Sequence, residues 1–245
     1  GGKGMIGMAT REDDTLTDLL SANSRNTILF FSDKGKVYSE KAHQIPQTHR
    51  AGRGTLIHTI LNLDPDEHIT AVLPITSFDK DEEAYFVMAT RQGRIKRVHL
   101  REFVDVRPSG LIAMNLHDDD QLGWVKYTDG QQDIILVTEH GQSIRFPEYD
   151  VRVMGRPAGG VNAIRLSDDD QVAGLDVISD ATSHLLVVTR KGFGKRTPIE
   201  RYSTQGRYGI GVRTLQRNNR TGPVAAMRCI TPDDGILLIT REGVV

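Results

Sequence analysis

The stretch VMATRQGRIKRV, residues 87–98, decides the fold. An apolar run reaches Thr90, a polar turn follows and ends at Gly93, and the return carries an arginine, a lysine and a second arginine. Glycine suits such a connection because hairpin turns of this length commonly need a residue with φ > 0. The stretch therefore predicts a β-hairpin with a basic return strand.

The same phrase occurs five times in the chain. It reads ILFFSDKGKVY at 28–38, YFVMATRQGRIKRV at 85–98, IILVTEHGQSIRF at 134–146, LLVVTRKGFGKRT at 185–197 and ILLITREGVV at 236–245. The 208 residues from the first turn glycine, Gly35, to the last, Gly243, divide into four intervals that average 52 residues. Self-similarity at a fixed period of this length is the signature of a repeat architecture.

Two further phrases recur between the hairpins. Basic glycine loops precede short apolar runs, and acidic turns follow those runs. The loops are Gly1-Gly-Lys-Gly4, Arg50-Ala-Gly-Arg-Gly54, Arg107-Pro-Ser-Gly110, Arg156-Pro-Ala-Gly-Gly160 and Gly206-Arg-Tyr-Gly-Ile-Gly211. An acidic turn stands at the start of each of the stretches LDPDEHITAVLPI (63–75), HDDDQLGWVKY (117–127) and SDDDQVAGLDVI (167–178), and a strand follows it. Each repeat is thus a loop, a strand, an acidic turn, a second strand and a hairpin.

This order predicts an all-β, propeller-like ring. Four short strands per repeat make one small sheet that leaves both faces uncovered, so each sheet needs neighbours. The signatures of the WD and kelch propellers are absent, so the ring is of another kind. We expect residues 1–245 to form one domain trimmed at both ends, with about five of six blades present. The segment DDTLTDLLSA (13–22) fits either a short helix or a linker.

Composition indicates an intracellular, non-membrane protein. Hydrophobic residues at 38% and charged residues at 26% describe a soluble globular chain. The single cysteine, Cys229, excludes a disulfide framework and a cysteine-based zinc site, which favours the cytoplasm. No apolar run approaches the ~18 residues that a membrane span requires.

Charge is segregated by its position in the repeat, although the net charge is only −1. Lysines and arginines concentrate in the hairpin returns and glycine loops, and acidic residues concentrate in the turns after the loops. Equivalent positions in a ring share one radius, so we expect a discontinuous basic belt with the acidic turns on another surface. Such a belt suits a bent polyanion, because cations that contact phosphates release counterions. Solvated edge strands that carry charge against aggregation are the alternative.

The repeats resemble the C-terminal domain family of the DNA gyrase A subunit over essentially the whole chain. The resemblance lies in ILFFSDKGKVYSEKAHQIP, the loop 50–54, ITAVLPI, YFVMATRQGRIKR and GFGKRTPIERY. The GGKG at 1–4 looks like the last four residues of the family's Gln-Arg-Arg-Gly-Gly-Lys-Gly box. A second box-like stretch, 205–211, departs from it at Ile210, where the box has lysine.

The resemblance implies a β-pinwheel, in which neighbouring blades exchange strands and the basic rim wraps duplex DNA. It implies a non-catalytic domain of a bacterial, ATP-dependent type II topoisomerase that introduces negative supercoils. ATP and Mg²⁺ would belong to the parent enzyme and not to this domain. The implied partners are double-stranded DNA, the rest of the gyrase A subunit and the gyrase B subunit in an A2B2 heterotetramer. The isolated domain would be monomeric and the parent enzyme cytoplasmic, close to the nucleoid.

Shared phase and the box-like loop together select the residues that we expect to contact DNA. They are Gly1, Gly2, Lys3, Gly4, Arg50, Arg53, Arg94, Lys96, Arg97, Arg107, Arg156, Lys195, Arg196 and Arg207.

No catalytic, metal or cofactor site is expected. The G-x-G-x-x-G match at residues 2–7 lacks the strand–loop–helix context of a dinucleotide site, and the histidines lack metal-ligand spacing. The aspartate triplets lack the pattern of a calcium loop and are interpreted as solvated turns. Trp124 and Phe86 are expected in the core, whereas Tyr208 stays open as a nucleic-acid contact. Two alternatives remain: the C-terminal domain of the topoisomerase IV A subunit, and a β-propeller that serves as a protein-interaction scaffold.

Overall fold

The computed structural model describes residues 27–41, 60–75, 83–181 and 183–231. The strands are β1 (Thr27–Ser32), β2 (Lys36–Lys41), β3 (Ile69–Ile75), β4 (Tyr85–Thr90), β5 (Arg94–His99), β6 (Leu111–Ile112), β7 (Leu122–Thr128), β8 (Asp133–Thr138), β9 (Gln142–Pro147), β10 (Val161–Asn162), β11 (Val172–Ile178), β12 (His184–Thr189), β13 (Gly194–Pro198), β14 (Val212–Arg213) and β15 (Val224–Ile230). Short 3-10 helices follow three return strands, at Leu100–Phe103, Glu148–Asp150 and Ile199–Arg201.

Four of the five predicted hairpins are confirmed: β1–β2, β4–β5, β8–β9 and β12–β13 are antiparallel pairs. The fifth, at 236–245, lies outside the described residues, as does the segment 13–22. In the β4–β5 turn the Gly93 amide donates to the Thr90 carbonyl at 3.1 Å, and the Arg94 amide donates to Thr90 Oγ1 at 3.1 Å. Gly93 has φ +85°, as the hairpin pattern requires. The other three turns repeat the glycine-to-carbonyl bond.

Each hairpin is the centre of one antiparallel sheet. Blade 1 has the strand order β3-β1-β2-β6, blade 2 has β7-β4-β5-β10, blade 3 has β11-β8-β9-β14, and blade 4 has β15-β12-β13. β6, β10 and β14 each follow the hairpin of one blade in sequence but pair with the return strand of the blade before it. This exchange of strands between neighbours is the pinwheel arrangement, and the predicted fold class is confirmed.

The core lies between the blades and not inside any one of them. Alternate residues of a strand face opposite sides of the sheet, so β4 sends Phe86 and Met88 towards blade 1 and Val87 and Ala89 towards blade 3. All four of these side chains are fully buried. Blades 3 and 4 share a third cluster in the same way. Blades 2 and 3 are thus covered on both faces by their neighbours, and the second face of blade 1 packs against Leu61 and the residues beside it.

The sheets have an inner and an outer edge. β3, β7, β11 and β15 contact one another in that order from blade to blade, so these edge strands converge. β6, β10 and β14 occupy the opposite edge of their sheets. We define the outer edge as these three short strands together with the glycine loops before them, residues 107–110, 155–160 and 206–211.

Candidate nucleic-acid interface

Glycines allow each outer strand to approach the hairpin of the preceding blade. Gly160 has φ +80°, and a Cβ at this position would lie 2.5 Å from the carbonyl oxygen of Ile95 on β5. Gly211 has φ +76°, and its Cβ would lie 2.3 Å from the carbonyl oxygen of Ser143 on β9. Both contacts are shorter than any side chain tolerates, so only glycine permits the exchange at these points. Gly160 and Gly211 therefore have a structural role in seating the outer strands.

Loop arginines link neighbouring blades along the outer edge. Arg156 Nη1 donates to the carbonyl of Ile112 on β6 at 3.0 Å. Arg207 Nη1 donates to the carbonyl of Asn162 on β10 at 2.5 Å, the equivalent position one blade on. Arg207 Nε also donates to the Asp150 carbonyl at 3.2 Å. Both arginines are half-buried, and each guanidinium has five N–H donors, so donors remain for an external anion.

Arg94 lies where the return strand meets the outer edge. Its Nε donates to the Gly159 carbonyl at 3.1 Å and its Nη2 to the Gly160 carbonyl at 2.5 Å. Nη1 reaches the side-chain oxygen of Asn162 at 3.3 Å. The side chain is half-buried. Arg94 thus fastens the glycine loop of the next repeat and keeps part of its guanidinium at the surface.

Lys96 is fully buried, which the sequence did not predict. Its Nζ donates to the carbonyls of Ala158 at 2.9 Å and Gly155 at 3.3 Å, and also to that of Arg156. Burial, followed by the nearby charge of Arg156, lowers the pKa of Lys96 to about 7. Lys96 is therefore a clamp on the glycine loop 155–160, and it has no surface from which to contact a phosphate.

Arg97 is also buried, with 7% of its surface exposed. Its Nη1 forms an ion pair with Glu148 at 3.2 Å, and its Nε donates to the Val151 carbonyl at 3.0 Å. The guanidinium lies over the ring of Tyr85 at 4.8 Å from the centroid. Glu148 is fully buried and comes from blade 3, so this pair joins two blades. Intramolecular contacts account for Lys96 and Arg97, and we do not retain either as a phosphate ligand.

The remaining predicted DNA contacts are either exposed cations or residues outside the described part of the structure. Arg107, Lys195 and Arg196 are exposed. Lys195 Nζ also donates to the Thr214 carbonyl at 2.6 Å. The predicted contacts that lie outside the described residues are Gly1, Gly2, Lys3, Gly4, Arg50 and Arg53.

The structure adds cations that the sequence-based selection missed. Arg165 is exposed, and its guanidinium lies over the ring of Tyr208 at 5.1 Å from the centroid. Arg213 is exposed on β14 itself. A signal was available for both, because each follows the last glycine of a loop closely, in the strand-forming run that the loop leads into. The prediction covered only the glycine loops and the hairpin returns, and so it excluded both arginines.

The acidic turns lie away from the outer edge, but they are not simply solvated. They lead into β7 and β11, the inner strands of blades 2 and 3. Asp120 is 8% exposed and accepts hydrogen bonds from the amides of Gln92 at 3.0 Å and Gln121 at 2.8 Å. Asp170 makes the equivalent bonds one blade on. The last aspartate of each triplet thus caps a hairpin turn, which corrects the interpretation of these turns as solvated, while the first two are exposed.

Two kinds of feature were sought in the described part of the chain, metal-ligand groups and membrane-spanning helices. It holds no group of three or more His, Cys, Asp or Glu side chains placed to bind a metal ion. None of its helices has the length and apolar character needed to cross a membrane. His99 is buried, accepts a hydrogen bond from the amide of Arg101 at 3.1 Å and contacts the Tyr85 ring edge to face.

Comparison with known proteins gives consistent matches. The family described as "DNA gyrase C-terminal domain, beta-propeller" matches residues 1–23, 26–76, 84–125, 132–179 and 183–229. The DNA gyrase A subunit of Haloquadratum walsbyi is 42% identical over 246 residues, which cover 99% of this chain and 29% of that protein. The chain therefore spans under a third of the length of this relative.

Two solved structures have the same fold. The C-terminal domain of DNA topoisomerase IV superposes with a TM-score of 0.78 and 27% identity, covering 86% of this chain and 65% of that one. A DNA gyrase A C-terminal domain superposes with a TM-score of 0.74 and 22% identity, covering 96% and 75% respectively.

Proposed function

This chain belongs to the family of DNA gyrase C-terminal domains, and from that premise we propose that it binds duplex DNA along its outer edge. The observation that carries the proposal is the recurrence of a surface arginine in each of the three described glycine loops, at Arg107, Arg156 and Arg207. Arg94 on β5 and Lys195 and Arg196 on β13 add surface cations, and all six are exposed or half-buried. The exposed Arg165 and Arg213 extend the set.

The chemistry of this edge suits phosphate and not base recognition. Guanidinium and ammonium groups at regular steps neutralise successive phosphates and release counterions. Such contacts fix the position of the duplex but carry no sequence information. Binding is therefore sequence-tolerant and falls steeply with salt, and preference among sequences arises from the ease with which each sequence bends.

The blades present these cations on a curved surface, which supports wrapping as well as binding. The inner strands converge and the outer strands diverge, so consecutive loops face outward at successive angles. A duplex that contacts all of them must bend. In the parent enzyme this domain acts without catalytic residues of its own: it presents bent DNA to the rest of the gyrase A subunit and to the gyrase B subunit, which carry out ATP-dependent strand passage. This assigns the domain to the DNA-containing compartment, the cytoplasm.

A second candidate is the equivalent domain of the topoisomerase IV A subunit. The observation that favours it is the superposition on the topoisomerase IV domain at a TM-score of 0.78. The two candidates share the DNA-binding edge and differ in whether the wrap is chiral enough to shift DNA topology.

Ligation of a nicked circular plasmid in the presence of increasing amounts of the domain tests the proposal. After removal of the protein, we expect a positive topoisomer shift that grows with protein concentration. A variant with Arg107→Gln, Lys195→Gln and Arg196→Gln should lose most of the shift. Lys34→Gln is the matched control, because Lys34 is exposed at a hairpin turn and pairs there with Asp66, away from the outer edge. It should retain the shift.

The outcomes separate the candidates. No shift, combined with salt-sensitive retention of linear duplex, would favour binding without chiral wrapping, as in the second candidate. Absence of both would contradict DNA binding and favour a protein-interaction scaffold.

A further inference from the structure

The glycine loop 206–211 differs from the other two described outer loops in its apolar surface. Tyr208 is 41% exposed, Ile210 is 64% exposed and Val212, the first residue of β14, is 45% exposed. The residues that correspond to Ile210, counted from the last glycine of each loop, are Ser109 and Gly159. Residues 206–212 thus expose three large apolar side chains, whereas residues 107–112 expose one, Ile112, and residues 155–162 expose none.

The alternation of this segment explains why these side chains point outward. Exposed residues at 206, 208, 210 and 212 alternate with more enclosed ones at 207, 209 and 211. Gly211 is restricted to glycine, since a Cβ there would meet the Ser143 carbonyl at 2.3 Å, whereas a Cβ on Gly209 would make an ordinary contact with Ile144 at 3.7 Å. Tyr208, Ile210 and Val212 thus take the exposed positions, whereas Arg207 takes a more enclosed one and donates to the carbonyls of Asp150 and Asn162.

Contacts with blade 2 hold the loop in one conformation. The Tyr208 amide donates to the Ala163 carbonyl at 2.9 Å, and the Arg165 amide donates to the Gly209 carbonyl at 2.9 Å. The Arg165 guanidinium covers the Tyr208 ring, and Tyr208 has φ +69°. A non-glycine residue in this region is strained, and such strain clusters at functional sites. The apolar side chains are therefore presented on a fixed support.

Positive charge around the segment indicates what would cover it. Arg165, Arg207 and Arg213 flank the three apolar side chains in sequence or in space. An apolar protein surface offers no negative charge to the three surrounding arginines. The minor groove of a bent duplex accommodates both the arginines and the apolar side chains. Arginines are drawn to a narrow minor groove by its negative potential, and apolar side chains are inserted between base steps to kink the duplex.

We propose that Ile210 is a wedge that enters the minor groove of the bound duplex at a base step, with Tyr208 and Arg165 against the adjoining sugar–phosphate backbone. This rests on the proposed function, and it adds a fixed kink at blade 3 to the smooth bending by the outer edge. The kink forms most readily at pyrimidine–purine steps, which unstack easily. Blade 3 thus gives the domain a preference for DNA with flexible steps, although it reads no base by hydrogen bonding.

A short duplex with one TA step, with 2-aminopurine replacing the adenine, tests the wedge. Binding of the chain should raise 2-aminopurine fluorescence, because unstacking relieves its quenching, and Ile210→Ser should abolish most of that rise. The same variant should leave the slope of log K against log salt unchanged, since serine removes no phosphate contact. Ile210→Met, which keeps an apolar side chain of similar size, should restore the fluorescence rise. Arg213→Gln is the matched control and should make the negative slope of log K against log salt less steep by about 0.9.

Each result bears on one claim. If Ile210→Ser gives the same fluorescence rise as the unaltered chain, the wedge is wrong while DNA binding stands. If the unaltered chain binds the duplex with a salt-dependent affinity but without any rise, the wedge is also wrong. If the unaltered chain fails to bind duplex DNA at low salt, the proposed function fails first. The exposure of Ile210 makes loss of folding an unsuitable explanation, and equal thermal melting of the variants verifies this point.

Discussion

The hairpins β4–β5 and β12–β13 have nearly the same sequence phrase but place their cations differently. After the turn glycine, one continues RIKR and the other FGKR, so Lys96 corresponds to Lys195 and Arg97 to Arg196. Lys96 and Arg97 are buried, whereas Lys195 and Arg196 are exposed. Identical residue types at identical positions of the repeat thus have opposite environments.

The difference arises from the neighbouring repeat and not from the hairpin itself. β10 and its glycine loop cover the outer edge of β5, where they receive three bonds from Lys96 Nζ. Glu148 of the next blade forms an ion pair with Arg97. Among the described residues, no strand pairs with the outer edge of β13. A cation in a hairpin return is therefore buried when a loop covers it, and it lies at the surface when none does.

The largest expected contrast is between Arg97→Met and Arg196→Met. Removal of Arg97 leaves Glu148 buried without its ion-pair partner, and breaking a buried pair in this way costs about 3–5 kcal/mol. Arg196 is exposed, so its substitution should change the free energy of unfolding by less than about 1 kcal/mol. Urea denaturation of the two variants, followed by fluorescence of the single tryptophan, measures both values. Equal losses of unfolding free energy in the two variants would contradict the different environments of Arg97 and Arg196.

A smaller contrast is expected between Gly160→Ala and Gly194→Ala. Alanine at 160 would place Cβ 2.5 Å from the Ile95 carbonyl at φ +80°, whereas nothing lies within 4 Å of a Cβ at 194. We expect a loss of at least about 2 kcal/mol for Gly160→Ala, from strain and displacement of β10, and almost none for Gly194→Ala. Thermal melting distinguishes the two. A neutral Gly160→Ala would show that β10 is not seated on β5 as described.

The third contrast lies in the pH dependence of stability. The pKa of Lys96 is lowered to about 7 in the folded state from 10.5, so between these values the unfolded chain binds more protons. The free energy of unfolding should therefore rise with pH in this window, by at most about 1.4 kcal/mol per pH unit. The rise is best followed from pH 7 to 9, because burial raises the pKa of Cys229 from 9.0 to about 12 and opposes it at higher pH.

Two lysine variants isolate the source of that rise. Lys96→Met should remove it, and Lys195→Met should leave it in place. The check is the free energy of unfolding in urea for the three proteins at several pH values between 7 and 9. A rise that persists in Lys96→Met would assign it to another group and contradict the buried clamp.

Much of the fold follows from local patterns, and the rest depends on contacts that are distant in sequence. Alternating apolar residues and a turn glycine at fixed spacing suffice to place β4, β5 and the equivalent hairpins. The strand with which β10 pairs could not be predicted in this way, because β10 consists of only two residues, Val161 and Asn162. Nothing in so short a segment specifies Ile95 and Arg94 as its distant partners, and the exchange was expected only through the family resemblance.

The site was predictable as a region but not residue by residue. Basic loops at the outer edge were found, because phase in the repeat fixes the edge on which a residue lies. Burial was not found, because the position of Lys96 holds tyrosine at 38, isoleucine at 144 and lysine at 195. Tyr38 and Ile144 each meet a glycine of a covering loop, Gly110 and Gly209, whereas Lys195 is exposed. Only the folded neighbour decides whether a lysine there is a clamp or a surface charge.

The most direct test of the central claim is the salt dependence of duplex binding by the unaltered chain and by the double variant Lys195→Gln, Arg196→Gln. Fluorescence anisotropy of a labelled duplex, measured at several salt concentrations, gives the slope of log K against log salt. We predict a steep negative slope for the unaltered chain and a slope reduced by about 1.8 in the double variant, at about 0.9 for each phosphate contact. A slope near zero, or the same slope in both proteins, would contradict the assignment of the exposed outer-edge cations to DNA binding.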